Sequence, residues 1–272
     1  MKFSKQSFNS NLFKVLPRIL LILCALISVS AQSGIPPIPA ADDKENKDQN
    51  PFGRDMLPYE LTRAAEKLLD ISSVEKDRFK RERQGLGYRL LKIFSAPKCA
   101  EGRLVIDVSS PECRDGADLV RASFYSVRRG LYGETLADIR VLENRLIAGN
   151  GSFVHGFLID LGISDLGSFS IEEPRVKSLF DYPVATTLDA EGSQRKLLAS
   201  GFVIGEEKVA SEAQLEKDHV YLLRLVSYSF KKGDWSFFNR DQMFVFKFIE
   251  LDNRKAGLFL LKKLAERPAP KL

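Results

Sequence analysis

The spacing of apolar residues changes period several times along this chain, and each change marks a different kind of element. The first apolar block, Ile19 to Ile27, comes after a stretch of polar and basic residues and is closed by the small residues Ser28, Ser30 and Ala31. Residues 32–57 have no apolar period; they mix charges with Pro36, Pro37, Pro39 and Pro51. Such a composition buries too little apolar surface to offset chain entropy, so a disordered linker is predicted there.

A helical segment is predicted over residues 58–84. Leu61, Ala64, Ala65, Leu68 and Leu69 fall on one helical face behind Pro58, which costs no backbone bond in a first turn. A second helix is predicted over residues 73–83, with Ser73 as N-cap, Phe79 among mixed charges and Gln84-Gly85 as its end.

From residue 85 onward the period falls to two. Strands are predicted over residues 88–94, 104–108 and 119–127, the last with Val120, Ala122 and Phe124 on one face. A meander over residues 138–142, 145–148 and 153–161 is punctuated by Glu143-Asn144 and Asn150-Gly151, and Asn-Gly suits a tight hairpin because both central residues need positive φ. Short helices are predicted over residues 171–180, started near Pro174, and over residues 191–200, ended by Gly201. Long strands over residues 220–230, 243–251 and 258–264 close the chain, with Phe244, Phe246 and Phe248 alternating onto a core face. The predicted fold class is α+β: an N-terminal helical segment, then a mainly antiparallel β domain over residues 85–272, forming a twisted sheet or a partly closed barrel.

Charge sharpens the picture of the N-terminus. The 272-residue chain has a formal charge of +5, but Lys2, Lys5, Lys14 and Arg18 precede the apolar block and no acid precedes residue 42. Basic residues, a short apolar run and small residues at Val29 and Ala31 are the three parts of a secretory signal, so residues 1–31 are predicted to be a signal peptide cut before Gln32, the alternative being an uncleaved N-terminal anchor. The run is also shorter than the roughly 20 residues that cross a bilayer as a helix. The remaining chain carries a formal charge of +1, which removes any global electrostatic case for nucleic acid. An exported protein, periplasmic or secreted, is expected, touching a membrane only through its signal. Cys99 and Cys113 are the two cysteines left after cleavage, and in an oxidising compartment they are expected to form a disulfide around the strand between them.

Four stretches carry a family resemblance. Phe79-Lys-Arg-Glu-Arg-Gln-Gly-Leu-Gly-Tyr-Arg-Leu-Leu, Asp118-Leu-Val-Arg-Ala-Ser-Phe-Tyr-Ser, His219-Val-Tyr-Leu-Leu-Arg-Leu-Val-Ser-Tyr and the final Leu261-Lys-Lys-Leu-Ala-Glu-Arg-Pro-Ala-Pro-Lys-Leu resemble a group of exported bacterial proteins with no assigned function. The resemblance implies an address and a bacterial source, and it implies no mechanism.

Residues arranged for chemistry are few. His155 and His219 are the histidines, each in a strand-like stretch without a second ligand at metal spacing, so both read as hydrogen-bonded packing residues. No Gly-x-Ser-x-Gly elbow or lysine-bearing phosphate loop occurs, and no motif asks for a cofactor. Asp160, Asp165, Glu172, Glu173 and Asp181 are acids that a cell-envelope hydrolase with a carboxylate pair could use. Trp235, Phe237 and Phe238 stand out instead, because they lie among turn and charged residues between two strong strands and suit either a contact loop or a cover folded back over one end of the β domain. The leading expectation is therefore an exported, non-catalytic binding or envelope-associated module whose partner is a protein, glycan or apolar ligand. Closing a loop of about 15 residues stabilises by about 3 kcal/mol. Cys99→Ala is expected to lower stability by roughly 2–4 kcal/mol, and thiol labelling of freshly isolated protein, free of reductant, should leave both cysteines unmodified.

Overall fold

The computed structural model describes residues 63–98, 117–132, 137–149, 154–229 and 239–272. The expected signal peptide and linker, the Cys99–Cys113 pair, the strand expected at 104–108, the turn expected at Asn150-Gly151 and the aromatic cluster Trp235, Phe237 and Phe238 lie outside these residues.

Five antiparallel strands form the larger sheet: β1 (Arg89–Phe94), β6 (Val154–Ile163), β10 (His219–Ser227), β11 (Arg240–Leu251) and β12 (Ala256–Arg267), in the order β1-β12-β11-β10-β6. Both faces of this sheet are covered, which explains the nearly continuous apolar runs of β10 and β11. Along β11, Met243 and Val245 point to one side, and Phe244, Phe246 and Phe248 are buried on the other, as their alternation predicts.

A second antiparallel sheet packs on that phenylalanine face. It holds β2 (Phe124–Ser126), β3 (Leu131–Tyr132), β4 (Ile139–Leu142), β5 (Arg145–Ala148) and β9 (Glu212–Gln214), in the order β3-β2-β4-β5-β9. Ile139, Val141 and Leu146 from it meet Leu223, Phe246 and Leu261 from the larger sheet in one shared core. The void left between Ile93, Ile139, Leu223, Phe246 and their neighbours is only about 10 Å³, no more than a single water would need. The opposite face of the larger sheet is covered by α5 (Pro174–Asp181) and α6 (Leu188–Ser200), which bury Val176, Leu179 and Leu198. A two-stranded hairpin, β7 (Phe202–Ile204) and β8 (Glu207–Val209), continues from α6.

Helices α1 (Arg63–Leu69), α2 (Ser73–Arg78) and α3 (Lys80–Gln84) precede β1, and α1 buries Ala65, Leu68 and Leu69 in a cluster with Phe94 and Leu142. Helix α2 opens with a reciprocal capping box between Ser72 and Glu75. Glu75 also meets the buried Lys92 amine at 2.8 Å, which ties the helices to β1. Burial acts to raise the Glu75 carboxyl, but hydrogen bonds from Lys92 and Ser72 outweigh it and hold the group below its ordinary range.

The mixed, mainly antiparallel architecture agrees with the sequence. The strands form two sheets packed face to face that do not make a closed barrel, and isolated bridges, Ala96 with Leu142 and Leu158 with Ala210, join the sheets at two corners. Residues 119–127 differ from the expected strand: α4 (Ala117–Val120) runs into a 3-10 turn at Arg121–Ser123 before the short β2. Ser123 Oγ donates to the Val120 carbonyl at 2.6 Å, a local bond that favours a turn over a ladder. Helix α6 begins at Leu188, three residues earlier than expected, because Thr187 Oγ1 accepts the Ala190 amide and caps it.

The tightest backbone approach lies where β6 passes the end of β5. A Cβ built on Gly156 would stand 2.3 Å from Ala148 Cβ and 2.7 Å from the Gly149 nitrogen. Gly156→Ala should therefore force the two sheets apart and cost about 1–3 kcal/mol or more in a urea titration, although alanine is ordinarily the safer strand residue.

Candidate functional site

Strand register assembles a polar strip that no local sequence pattern announces. His155 on β6 lies opposite Val226 on β10, Val226 opposite Asp241 on β11, and Asp241 opposite Arg267 on β12. Because side chains alternate along a strand, Arg224 and Tyr228 share the face of Val226, and the whole row points toward α5 and α6. The strip has two centres.

At the first, Arg224 is 0% exposed. Its Nε and Nη2 donate to the two oxygens of Asp241, each at 2.8 Å, in a fork-to-fork pair. Its Nη1 donates to the carbonyls of Leu179 and Tyr182 at 2.8 and 2.7 Å. Those carbonyls belong to the last turn of α5 and the residue after it, where backbone acceptors have no helical partner. Phe157 and Phe180 flank the guanidinium, with ring centroids 5.4 and 5.7 Å away. Arg267 adds a 2.8 Å bond to Asp241, stacks 4.0 Å over Phe180 and donates to the Phe180 carbonyl. One carboxylate and three main-chain carbonyls thus receive two guanidinium groups, and α5 is fastened to the sheet.

The second centre surrounds His155, which is 2% exposed. Its Nδ1 is 3.1 Å from Gln194 Oε1 and its Nε2 is 3.0 Å from Glu191 Oε1, both residues being on α6. Gln194 donates to the Pro183 carbonyl at 3.0 Å, while its Oε1 accepts the Ala185 amide at 3.2 Å and the Tyr228 hydroxyl at 3.0 Å. Arg195 donates to Glu191 Oε1 from the open side. Burial is the largest influence on the imidazole and pulls it below its ordinary range; Arg195 adds to this, while Gln194 and Glu191 oppose it. Burial likewise pushes the Tyr228 phenol upward, so it remains a donor at any ordinary pH.

Of the acids singled out from the sequence, Asp160, Asp165, Glu173 and Asp181 serve local structure, and Glu172 is exposed ahead of α5. Asp165 caps a 3-10 turn through the Gly167 amide, Glu173 caps α5 through the Val176 amide, and Asp181 pairs with Lys177 at 3.3 Å. Asp160 contacts His219 Nδ1 at 3.0 Å, and Glu216 contacts the Nε2 of the same ring at 3.5 Å. The imidazole therefore occupies the space between these two carboxylates, where a glycosidic oxygen and a water would have to fit. Among the described residues no group of three or more His, Cys, Asp or Glu is arranged to hold a metal ion. A shallow, open groove beside α1 is lined by Arg63, Glu66, Lys67, Asp70 and Tyr132, a mixture of charges that selects no single ligand charge.

Both histidines are thus hydrogen-bonded strand residues, as their isolation in the sequence predicts. Their partners were not foreseeable, since Glu191 and Gln194 come from a helix 36 and 39 residues away. The expected contact residues Trp235, Phe237 and Phe238 fall in the segment between β10 and β11, outside the described residues. Comparison with protein-family models, curated proteins and solved structures finds no match to this chain.

The Arg224–Asp241 pair makes a clear demand on stability. Arg224→Met leaves a buried carboxylate with one partner fewer and orphans two carbonyls, so it should cost about 3–5 kcal/mol by chemical denaturation. Arg224→Met combined with Asp241→Leu should cost much less than the sum of the two single changes, because the buried charge leaves with its partner.

Proposed function

We propose that this chain is an exported, non-catalytic module that binds a protein, glycan or apolar ligand through the aromatic segment between β10 and β11. Export is supported by the basic, apolar and small-residue parts of residues 1–31 and by the near-neutral charge of residues 32–272. The observation that carries the reading is how firmly the aromatic segment is rooted. It joins two inner strands of the larger sheet, and both roots are pinned. Ser227 Oγ donates to the Arg240 carbonyl at 3.2 Å and accepts the Arg240 amide at 3.3 Å. The Ser229 carbonyl accepts the Leu272 amide at 2.9 Å, and Asp241 is locked by Arg224 and Arg267. A firmly held strand on either side of a segment such as Trp235–Phe238 is how binding segments are usually presented.

Among the described residues the core between the sheets holds a void of only about 10 Å³, which favours a contact segment over an interior ligand chamber, since a chamber would need a cavity of several hundred Å³. The test is purification of the mature chain from its native host, with mass spectrometry of whatever accompanies it, beside a Trp235→Ser, Phe237→Ser, Phe238→Ser variant. The companion should be lost in the variant while the thermal midpoint holds. Retention of the same companion would overturn the reading. So would a stability loss of several kcal/mol, since each buried aromatic truncated in a core costs about 3–5.

A further inference from the structure

We infer that residues 268–272 form a releasable strap, and that its opening loosens both roots of the segment between β10 and β11. In the larger sheet β11 lies between β12 and β10, yet the chain beyond β12 crosses the start of β11 and reaches β10. The Ala269 amide faces the Asn239 carbonyl at 3.5 Å, and the Leu272 amide donates to the Ser229 carbonyl at 2.9 Å. Lys271 also forms an isolated parallel bridge with Ser229. Pro268 and Pro270 keep this stretch extended and bring no amide donor of their own. Ala269 is buried in the core on the helix side and Leu272 packs against it, while Lys271 faces solvent.

The two residues that receive the strap also carry an unmet demand. Ser229 Oγ and Asn239 Oδ1 are buried and have no hydrogen-bond partner among the described residues. Leaving a buried polar atom unpaired is costly, and solvent reaches both atoms once the strap lifts. Closure therefore gains apolar burial and two main-chain contacts, the longer one at the limit of hydrogen-bond range, and loses the hydration of two polar atoms. Opposed contributions of this kind let a strap open while the sheet beneath it stays folded. One rung further in, the roots keep other ties, Ser227 to Arg240 and Asp241 to Arg224 and Arg267. Opening thus frees the outermost rung, Ser229 and Asn239, between which residues 230–238 run. Its consequence for partner binding rests on the reading above, whereas the strap itself does not.

The experiment is amide hydrogen exchange of the full chain by NMR at one pH, beside the fluorescence anisotropy of Trp235, the chain's one tryptophan. No ligand is present, so the result is independent of whether the aromatic segment binds a partner. In the wild type the Leu272 amide should be protected, yet exchange well ahead of the amides of Leu258–Leu261 in β12. Ser229→Ala removes an unpaired buried hydroxyl, a cost borne only by the closed strap, so Leu272 exchange should slow by about tenfold. Leu272→Asp removes the apolar anchor, so the Ala269 amide should lose its protection and Trp235 anisotropy should fall, with Leu258–Leu261 unchanged. A wild-type Leu272 amide exchanging at the open-chain rate, or as slowly as Leu258–Leu261, would overturn the inference. Unchanged or faster Leu272 exchange in Ser229→Ala would do the same. Steady Trp235 anisotropy in Leu272→Asp, once the Ala269 amide is released, would refute the coupling to the roots. The wild type and Ser229→Ala decide by themselves if Leu272→Asp does not fold.

Discussion

A guanidinium with no exposed surface has to find all its partners inside the protein, and Arg224 sets much of this architecture by doing so. Its planar fork engages Asp241 on the neighbouring strand, and its remaining nitrogen reaches two carbonyls around the end of α5. Those carbonyls would otherwise be buried acceptors without donors, each at a cost of about 1–3 kcal/mol. The interaction therefore fixes more than a charge pair. It sets where α5 stops, from which point the chain runs through Pro183 and Ala185 to α6 and the His155 centre. Arg267 repeats the arrangement from β12.

The two faces of the larger sheet solve the burial problem in different ways. Toward the second sheet the contacts are aromatic and apolar. Tyr221 stacks on Phe246 with centroids 5.0 Å apart, and Phe259 meets both Phe246 and Phe248 at 6.0 and 5.2 Å. Such pairs add stability beyond their buried area and fill the interior closely. Toward the helices the sheet carries the polar strip, whose bonds are directional and admit one placement of α5 and α6. Packing supplies cohesion on one side, and hydrogen-bond geometry supplies register on the other.

Much of the fold was legible because its signals are local. Alternation along residues 243–251 marked a strand with Phe244, Phe246 and Phe248 inward, and Pro174 marked the start of α5. Residues 119–127 show where local alternation misleads. Val120, Ala122 and Phe124 are all buried, yet a helical turn followed by a short strand buries them as well as a single strand would. The short strands β7, β8 and β9 left no sequence signal for a related reason. Each is three residues long, too short for a period of two to declare itself, and each is held by pairing across space.

By itself, the sequence determined the antiparallel, mixed character of the domain, most element positions and the isolation of each histidine. Those properties arise from neighbours in the chain, where spacing controls which face a side chain occupies. Tertiary structure alone decided that the strands divide into two facing sheets, and that His155, Asp241 and Arg267 share one row. Strand order and register bring together residues as far apart as Arg89 and Leu261, which pair between β1 and β12. A residue pattern carries no record of that pairing, because the energy that selects it arises only when both surfaces are buried at once.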